Sequence, residues 1–230
     1  MCNEYVVQEI DGLLKWVRLA IGGGGTVVGD YDPDQPEVIQ FTTAPQHRHH
    51  VLPDGLGPVI RLDDDGRFEY LEMRWGFPPP PNAKPPRPVT NVRNLESSFW
   101  RKWLEPTHRC LVPVSTFCEW TDTPDPVTGR KSRRWFKLQN DTPFMFAGIW
   151  REWEGTRGTK ANPITGTHLL YSFVTTEANN IVGAIHAKAM PAILTRDKWM
   201  DWLRAPADIA KQLIKTLDDD EMKQPAMTPD

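Results

Sequence analysis

The second residue of the chain is a cysteine, Cys2. Removal of Met1, which a small second side chain favours, would leave an α-amine and a thiol on adjacent carbons. A 1,2-aminothiol condenses with an aldehyde to a five-membered thiazolidine, because amine and sulfur reach the same carbonyl carbon. An α-amine pKa of roughly 7.7–8.0 keeps part of the population neutral and nucleophilic at physiological pH. A cysteine at this position is, on its own, more often incidental than functional. Glu119 lies in Pro113-Val114-Ser115-Thr116-Phe117-Cys118-Glu119-Trp120, at the end of an apolar strand and beside two aromatic residues. Desolvation there would raise its pKa and suit it to acid or base work, while a solvent-facing strand end is the equal alternative. His186, in His186-Ala187-Lys188-Ala189-Met190-Pro191, is a second proton-transfer candidate, or else a hydrogen-bonded core histidine. Asn91-Val92-Arg93 brings an amide and a guanidinium close together, able to hold an anion or an oxygen substituent, or simply to brace a loop.

Other reactive side chains carry less. Gln46-His47-Arg48-His49-His50 has no carboxylate or cysteine close in sequence, so it reads as a solvated loop and no metal site is expected. Cys110 and Cys118 are flanked by apolar residues and read as small buried hydrophobes. No cofactor motif is present: Gly22 to Gly25 lacks the Gly-Lys-Ser/Thr ending of a phosphate loop.

These residues must be positioned by elements that the periodicity outlines. Apolar spacing predicts helices at 8–20, 95–104, 196–203 and 207–217, and strands at 38–42, 59–62, 68–75, 109–114, 134–138, 144–150 and 168–174. Asp63-Asp64-Asp65-Gly66 joins two of the strands as a hairpin. The segments 134–138 and 144–150 read as a second antiparallel hairpin across Gln139 to Pro143. Connections by hairpins and loops, with no crossover helices, predict an α+β fold. The expected organisation is a single domain over 1–217 and a disordered acidic tail over 218–230.

The 230 residues suffice for one generous core, and 39% hydrophobic with 25% charged residues fits a soluble globule. No apolar run approaches the ~20 residues that span a bilayer. Three widely spaced cysteines make no disulfide framework, and the first residues lack a secretory pattern, so a cytosolic location is expected. The net charge of −3 excludes nucleic-acid binding by bulk positive charge, so any such binding needs a local basic face. The 22 prolines argue for many fixed loops, and the 10 tryptophans for indoles that line a groove as well as a core.

Taken in order, nine short segments carry a resemblance. They are Met1-Cys2, Ala44-Pro45, Met73-Arg74-Trp75-Gly76-Phe77, Asn91-Val92-Arg93, Arg109-Cys110-Leu111-Val112-Pro113, Phe117-Cys118-Glu119-Trp120, Phe146-Ala147-Gly148-Ile149-Trp150, Thr175-Thr176-Glu177-Ala178-Asn179 and His186 to Leu194. The set resembles the SOS-response-associated peptidase (SRAP) family of abasic-site processing proteins over residues 1 to about 204. The resemblance implies a compact α+β fold around an antiparallel, barrel-like sheet with flanking helices, and a positively lined DNA groove. It also implies that Cys2 captures the aldehyde of an abasic site in single-stranded DNA as a thiazolidine crosslink. Further implications are Asn91 as orienter, Glu119 and His186 as proton-transfer groups, and lyase-like and self-processing activity that removes Met1. Arg93, Trp75, Trp120, Pro45, Thr175 and Lys188 are implied to meet DNA. The implied partners are abasic single strands and single-strand/duplex junctions, met by a monomer in the cytoplasm and, when bound, at the nucleoid. Two other readings of the same residues are an N-terminal-nucleophile cysteine amidohydrolase and a non-catalytic single-strand binding module. The chain departs from the family pattern in having Asn3-Glu4 after the cysteine, and one extra residue between His186 and Met190-Pro191.

Overall fold

The computed structural model describes residues 2, 4–8, 39–41, 48–83 and 87–225. Within them the strands are β1 (Glu4–Gln8), β2 (Ile39–Phe41), β3 (Arg48–Val51), β4 (Leu56–Leu62), β5 (Phe68–Trp75), β6 (Asn91–Val92) and β7 (Arg109–Val114). They continue with β8 (Thr116–Trp120), β9 (Arg133–Leu138), β10 (Phe144–Gly158), β11 (Pro163–Thr176), β12 (Met190–Pro191), β13 (Ile193–Leu194) and β14 (Met222–Lys223). The helices are short: α1 (Ser98–Arg101), α2 (Asn180–Gly183), α3 (Trp199–Arg204) and α4 (Ala207–Gln212).

β5 shows how pattern becomes architecture. Leu71, Met73 and Trp75 share one buried face, while Phe68 and Tyr70 at the start of the strand are buried on the other, where Glu72 and Arg74 are only half-buried. It pairs antiparallel with β4 from Leu56↔Arg74 to Leu62↔Phe68, so the hairpin expected at Asp63 to Gly66 forms. Asp63 accepts the backbone N–H groups of Asp65 and Arg67 at 3.0 and 2.8 Å, and Gly66 takes the positive φ of 77° that the turn needs.

Antiparallel pairing continues from β4 to β7, β10 and β11. The circle closes where β11 runs parallel to β5, at Leu170↔Arg74 and Tyr171↔Trp75. The result is a five-stranded barrel of mixed sense with few short helices, which bears out the α+β, barrel-like class. A second, antiparallel sheet of order β14-β9-β8-β1-β3 covers one side of it. The two share an aromatic core: Tyr5 of β1 meets Trp75 edge-on at 5.4 Å, and Phe117 of β8 meets Phe146 at 5.7 Å. The hydroxyls of Tyr5 and Tyr171 are hydrogen-bonded to each other inside this core. A Cβ on Gly57 would lie 2.5 Å from both hydroxyl oxygens, so only glycine leaves room for the pair.

Several expectations need correction. Segments 134–138 and 144–150 do not form a hairpin with each other. β9 is flanked by β8 and β14, whereas β10 pairs with β7, β11 and β13, so the two lie in different sheets. β10 and β11 run on well past 150 and before 168, as a two-stranded ribbon whose polar residues hid its strands. The predicted helix at 95–104 is reduced to α1 and a 3-10 turn at Lys102–Leu104, and that at 207–217 ends with α4. In the acidic segment from 218, a 3-10 turn at Asp219–Glu221 leads into β14. Met222 is buried and β14 pairs with β9, while Asp219 accepts the side-chain amide of Asn180 at 2.7 Å. Apart from Gln8, which ends β1, the predicted helix at 8–20 lies outside the described residues, as does the glycine run at 22–25.

Candidate functional site

Cys2 is fully buried just before β1, with its thiol directed to the carbonyl of Glu4 at 3.4 Å. Burial, reinforced by the charge of Glu119, holds this thiol well above the ordinary cysteine range, so sulfur is protonated at neutral pH. The backbone carbonyl of Cys2 accepts a hydrogen bond from Nδ2 of Asn91 at 3.0 Å. Asn91 stands on β6, a two-residue strand held parallel against β11 through Phe173↔Asn91, and Thr90 Oγ1 takes another bond from the same amide at 2.7 Å. The barrel therefore fixes the amide that fixes the start of the chain.

Glu119 sits on β8, one strand over from β1, where Glu4↔Cys118 sets the register. It is 1% exposed, and desolvation, helped by the negative charge of Asp122, raises its carboxyl from 4.5 to about 7. The desolvated alternative from the sequence is thus the one found, and the group can both accept and donate a proton near neutrality.

His186 follows α2, whose N-cap Asn179 accepts the Val182 N–H at 3.0 Å. Its Nδ1 meets Asp122 Oδ1 at 2.8 Å, and Asp122 Oδ2 accepts the Ala187 N–H at 2.9 Å. The Asp122 N–H in turn donates to the Ile185 carbonyl at 2.9 Å, which clasps the loop after β8 to the loop after α2. Burial pulls the imidazole below the ordinary histidine value, with Lys188 pushing the same way and Asp122 opposing. Asp122 was not anticipated from the sequence. Its place three residues beyond Glu119, in the proline-rich turn Thr121-Asp122-Thr123-Pro124, was the available signal.

Within the structure Asn91 touches Cys2 and Asp122 touches His186, while the charge of Glu119 is felt by Cys2 and that of Asp122 by Glu119. The residues expected to face DNA divide. Trp120 is 40% exposed, the one exposed indole among the described tryptophans, and Arg93 and Lys188 are also exposed. Arg93 lies 3.8 Å from Glu177. Trp75 and Thr175 are corrected: both are buried and have no surface to offer. Trp75 donates from Nε1 to the Thr90 carbonyl at 3.0 Å and stacks on Phe173, because alternation on β5 turns it into the barrel. Thr175 points its hydroxyl at the Val92 carbonyl, 3.4 Å away. Arg133 is paired at 2.9 Å with the buried carboxylate of Glu4, which also binds His50. Pro45 and His47 lie outside the described residues. Cys110 and Cys118 are buried, with both thiols raised by desolvation, Cys118 to about 12. No group of three or more potential metal ligands occurs among the described residues, and no helix there is long and apolar enough to cross a membrane.

Comparison with known proteins sets this site in context. The sequence model of one family, described as SOS response associated peptidase (SRAP), matches residues 27–229. No protein with a curated description matches the chain. Among crystal structures, a Bordetella bronchiseptica protein superposes with a TM-score of 0.70 at 18% identity, covering 99% of this chain and 100% of its own. A phage-related protein of the same organism gives 0.64 at 17% identity, covering 98% and 95%. A Bacteroides thetaiotaomicron protein gives 0.58 at 25% identity over 76% of each chain.

Proposed function

The chain belongs to the SOS response associated peptidase family, and from that membership and its site we propose that it captures abasic sites in single-stranded DNA through Cys2. Membership ties the protein to the response to DNA damage. The observation that carries the finer reading is the Asn91–Cys2 hydrogen bond, which holds the start of the chain beside a buried carboxylate poised near neutral pH.

In this mechanism Met1 is removed first, freeing the Cys2 amine. The abasic sugar opens when its C1 hydroxyl loses a proton and its ring oxygen gains one, a transfer that suits His186. The neutral amine adds to the aldehyde carbon, and the resulting hydroxyl leaves as water to give an imine. The Cys2 thiol then adds: sulfur bonds to the imine carbon and its proton passes by way of Glu119 to the nitrogen. Aldehyde and aminothiol become a thiazolidine with the loss of one water. Glu119, half-protonated near pH 7, can take and return each of these protons. Asn91 orients Cys2, Trp120 stacks on a base next to the lesion, and Arg93 and Lys188 meet phosphates.

Denaturing electrophoresis with single-stranded DNA containing one abasic site tests this. A shifted, heat-stable band is expected with that DNA and none with intact DNA. Cys2→Ala, or a variant that retains Met1, should abolish the band, and a full-strength band from either rejects the mechanism. Full burial of the Cys2 thiol supports a second reading, a binding module with no covalent step. That reading predicts unchanged single-strand affinity in Cys2→Ala and no covalent band from any variant.

A further inference from the structure

The clasp between the loop after β8 and the loop after α2 has a donor–acceptor pattern that constrains the imidazole. Asp122 presents two acceptor oxygens to two donors: Oδ1 to Nδ1 of His186 at 2.8 Å, and Oδ2 to the backbone N–H of Ala187 at 2.9 Å. An amide hydrogen cannot move, so Oδ2 is committed. A carboxylate can only accept, so the nitrogen facing Oδ1 must carry the hydrogen. The backbone N–H of His186 donates to the Val182 carbonyl at 2.8 Å, which fixes the ring's attachment as well. We propose that Asp122 is a positioning residue for His186: it holds the imidazole protonated on Nδ1 and makes Nε2 the nitrogen that takes and returns protons. Two carboxylate-bearing residues three positions apart in sequence then have different work, Glu119 moving protons at Cys2 and Asp122 setting the tautomer of the histidine that serves the sugar.

The catalytic part of this inference rests on the abasic-site reading; the tautomer part does not. The charged groups acting on His186 are Asp122, which raises its pKa, and the amino terminus and Lys188, which lower it; Glu119 on β8 in turn feels the charge of Asp122. Asp122→Asn tests the arrangement because an amide has one acceptor oxygen for two donors. With that oxygen kept by Ala187, the amide NH2 faces Nδ1 and forces the hydrogen onto Nε2.

The experiment is 15N NMR of the imidazole in the full-length protein without DNA, joined to crosslinking rates against pH with abasic single-stranded DNA. Wild-type protein above the His186 titration should show a protonated Nδ1 and an unprotonated Nε2. Asp122→Asn should invert that pattern, lower the titration midpoint by about one pH unit, and slow crosslink formation by roughly 10²-fold. Asp122→Glu should restore the wild-type tautomer, and Asp122→Asn should add nothing to a His186→Gln variant. A wild-type protein carrying the hydrogen on Nε2 overturns the proposal without recourse to any variant. So does an unchanged titration in Asp122→Asn, or equal slowing when His186 is already absent. If wild-type protein forms no crosslink at all, the abasic-site reading fails, and the NMR measurements still decide the tautomer.

Discussion

Asn91 and Cys2 are 89 positions apart, yet the Asn91 amide donates to the Cys2 carbonyl at 3.0 Å inside the protein. An orienting role predicts that Asn91→Ala leaves this carbonyl without its buried donor, at a cost of about 1–3 kcal/mol. Thermal unfolding should shift down by a few degrees. Crosslinking at saturating DNA should slow much more than non-covalent affinity changes. An unaltered crosslinking rate in a folded Asn91→Ala protein would remove Asn91 from the site.

Glu119 predicts an inverted pH dependence of stability. Its folded carboxyl, near 7, lies above the unfolded value of 4.5, so the folded state holds the proton more tightly. The stability from this group is therefore complete below about pH 4.5 and is lost as pH rises through 7, by up to about 3 kcal/mol. Glu119→Gln should accordingly be more stable than wild type at pH 8, with the difference closing towards pH 5. Parallel melting curves for the two proteins across this range would contradict a desolvated Glu119.

The two tryptophans assigned to DNA by resemblance should behave oppositely. Trp75→Ala empties a fully buried site packed against Phe173 and Tyr5, and should cost roughly 3–5 kcal/mol of stability. Trp120→Ala should leave stability within about 0.5 kcal/mol and weaken single-strand binding about tenfold, the worth of one stacked base. Calorimetry and fluorescence anisotropy on the two variants separate core from surface.

Salt dependence should be shallow, because two of the exposed cations near the site lie against carboxylates. Arg133 is held by Glu4, and Arg93 lies close to Glu177. Each single-strand phosphate contact contributes roughly 0.7 to the slope of log affinity against log salt. Arg93→Ala and Lys188→Ala should each flatten the measured slope by about that amount. Slopes unchanged in both variants would put the DNA track elsewhere on the protein.

What the sequence determined by itself was the local physics. Alternation marked Phe68–Trp75 and a three-aspartate turn ending in glycine marked the hairpin before it, while Phe117 and Trp120 around a carboxylate left Glu119 open between a desolvated place, the one found, and a solvent-facing one. Each depends on neighbours a few residues away. Which strand meets which was decided only by the tertiary structure. β9 and β10 look like a hairpin in sequence, yet every edge of theirs is taken by another strand, and the barrel closes through a parallel β5–β11 seam with no local signature. Trp75 shows the same limit: a buried indole and a groove-lining indole have the same pattern on a strand, and only barrel closure turned this one inward. The candidate site is likewise a product of long-range geometry. Cys2, Asn91, Glu119 and His186 were each visible as residue types. Two bonds among them, Asn91 to Cys2 and Asp122 to His186, join segments that only the closed sheets bring within hydrogen-bonding distance.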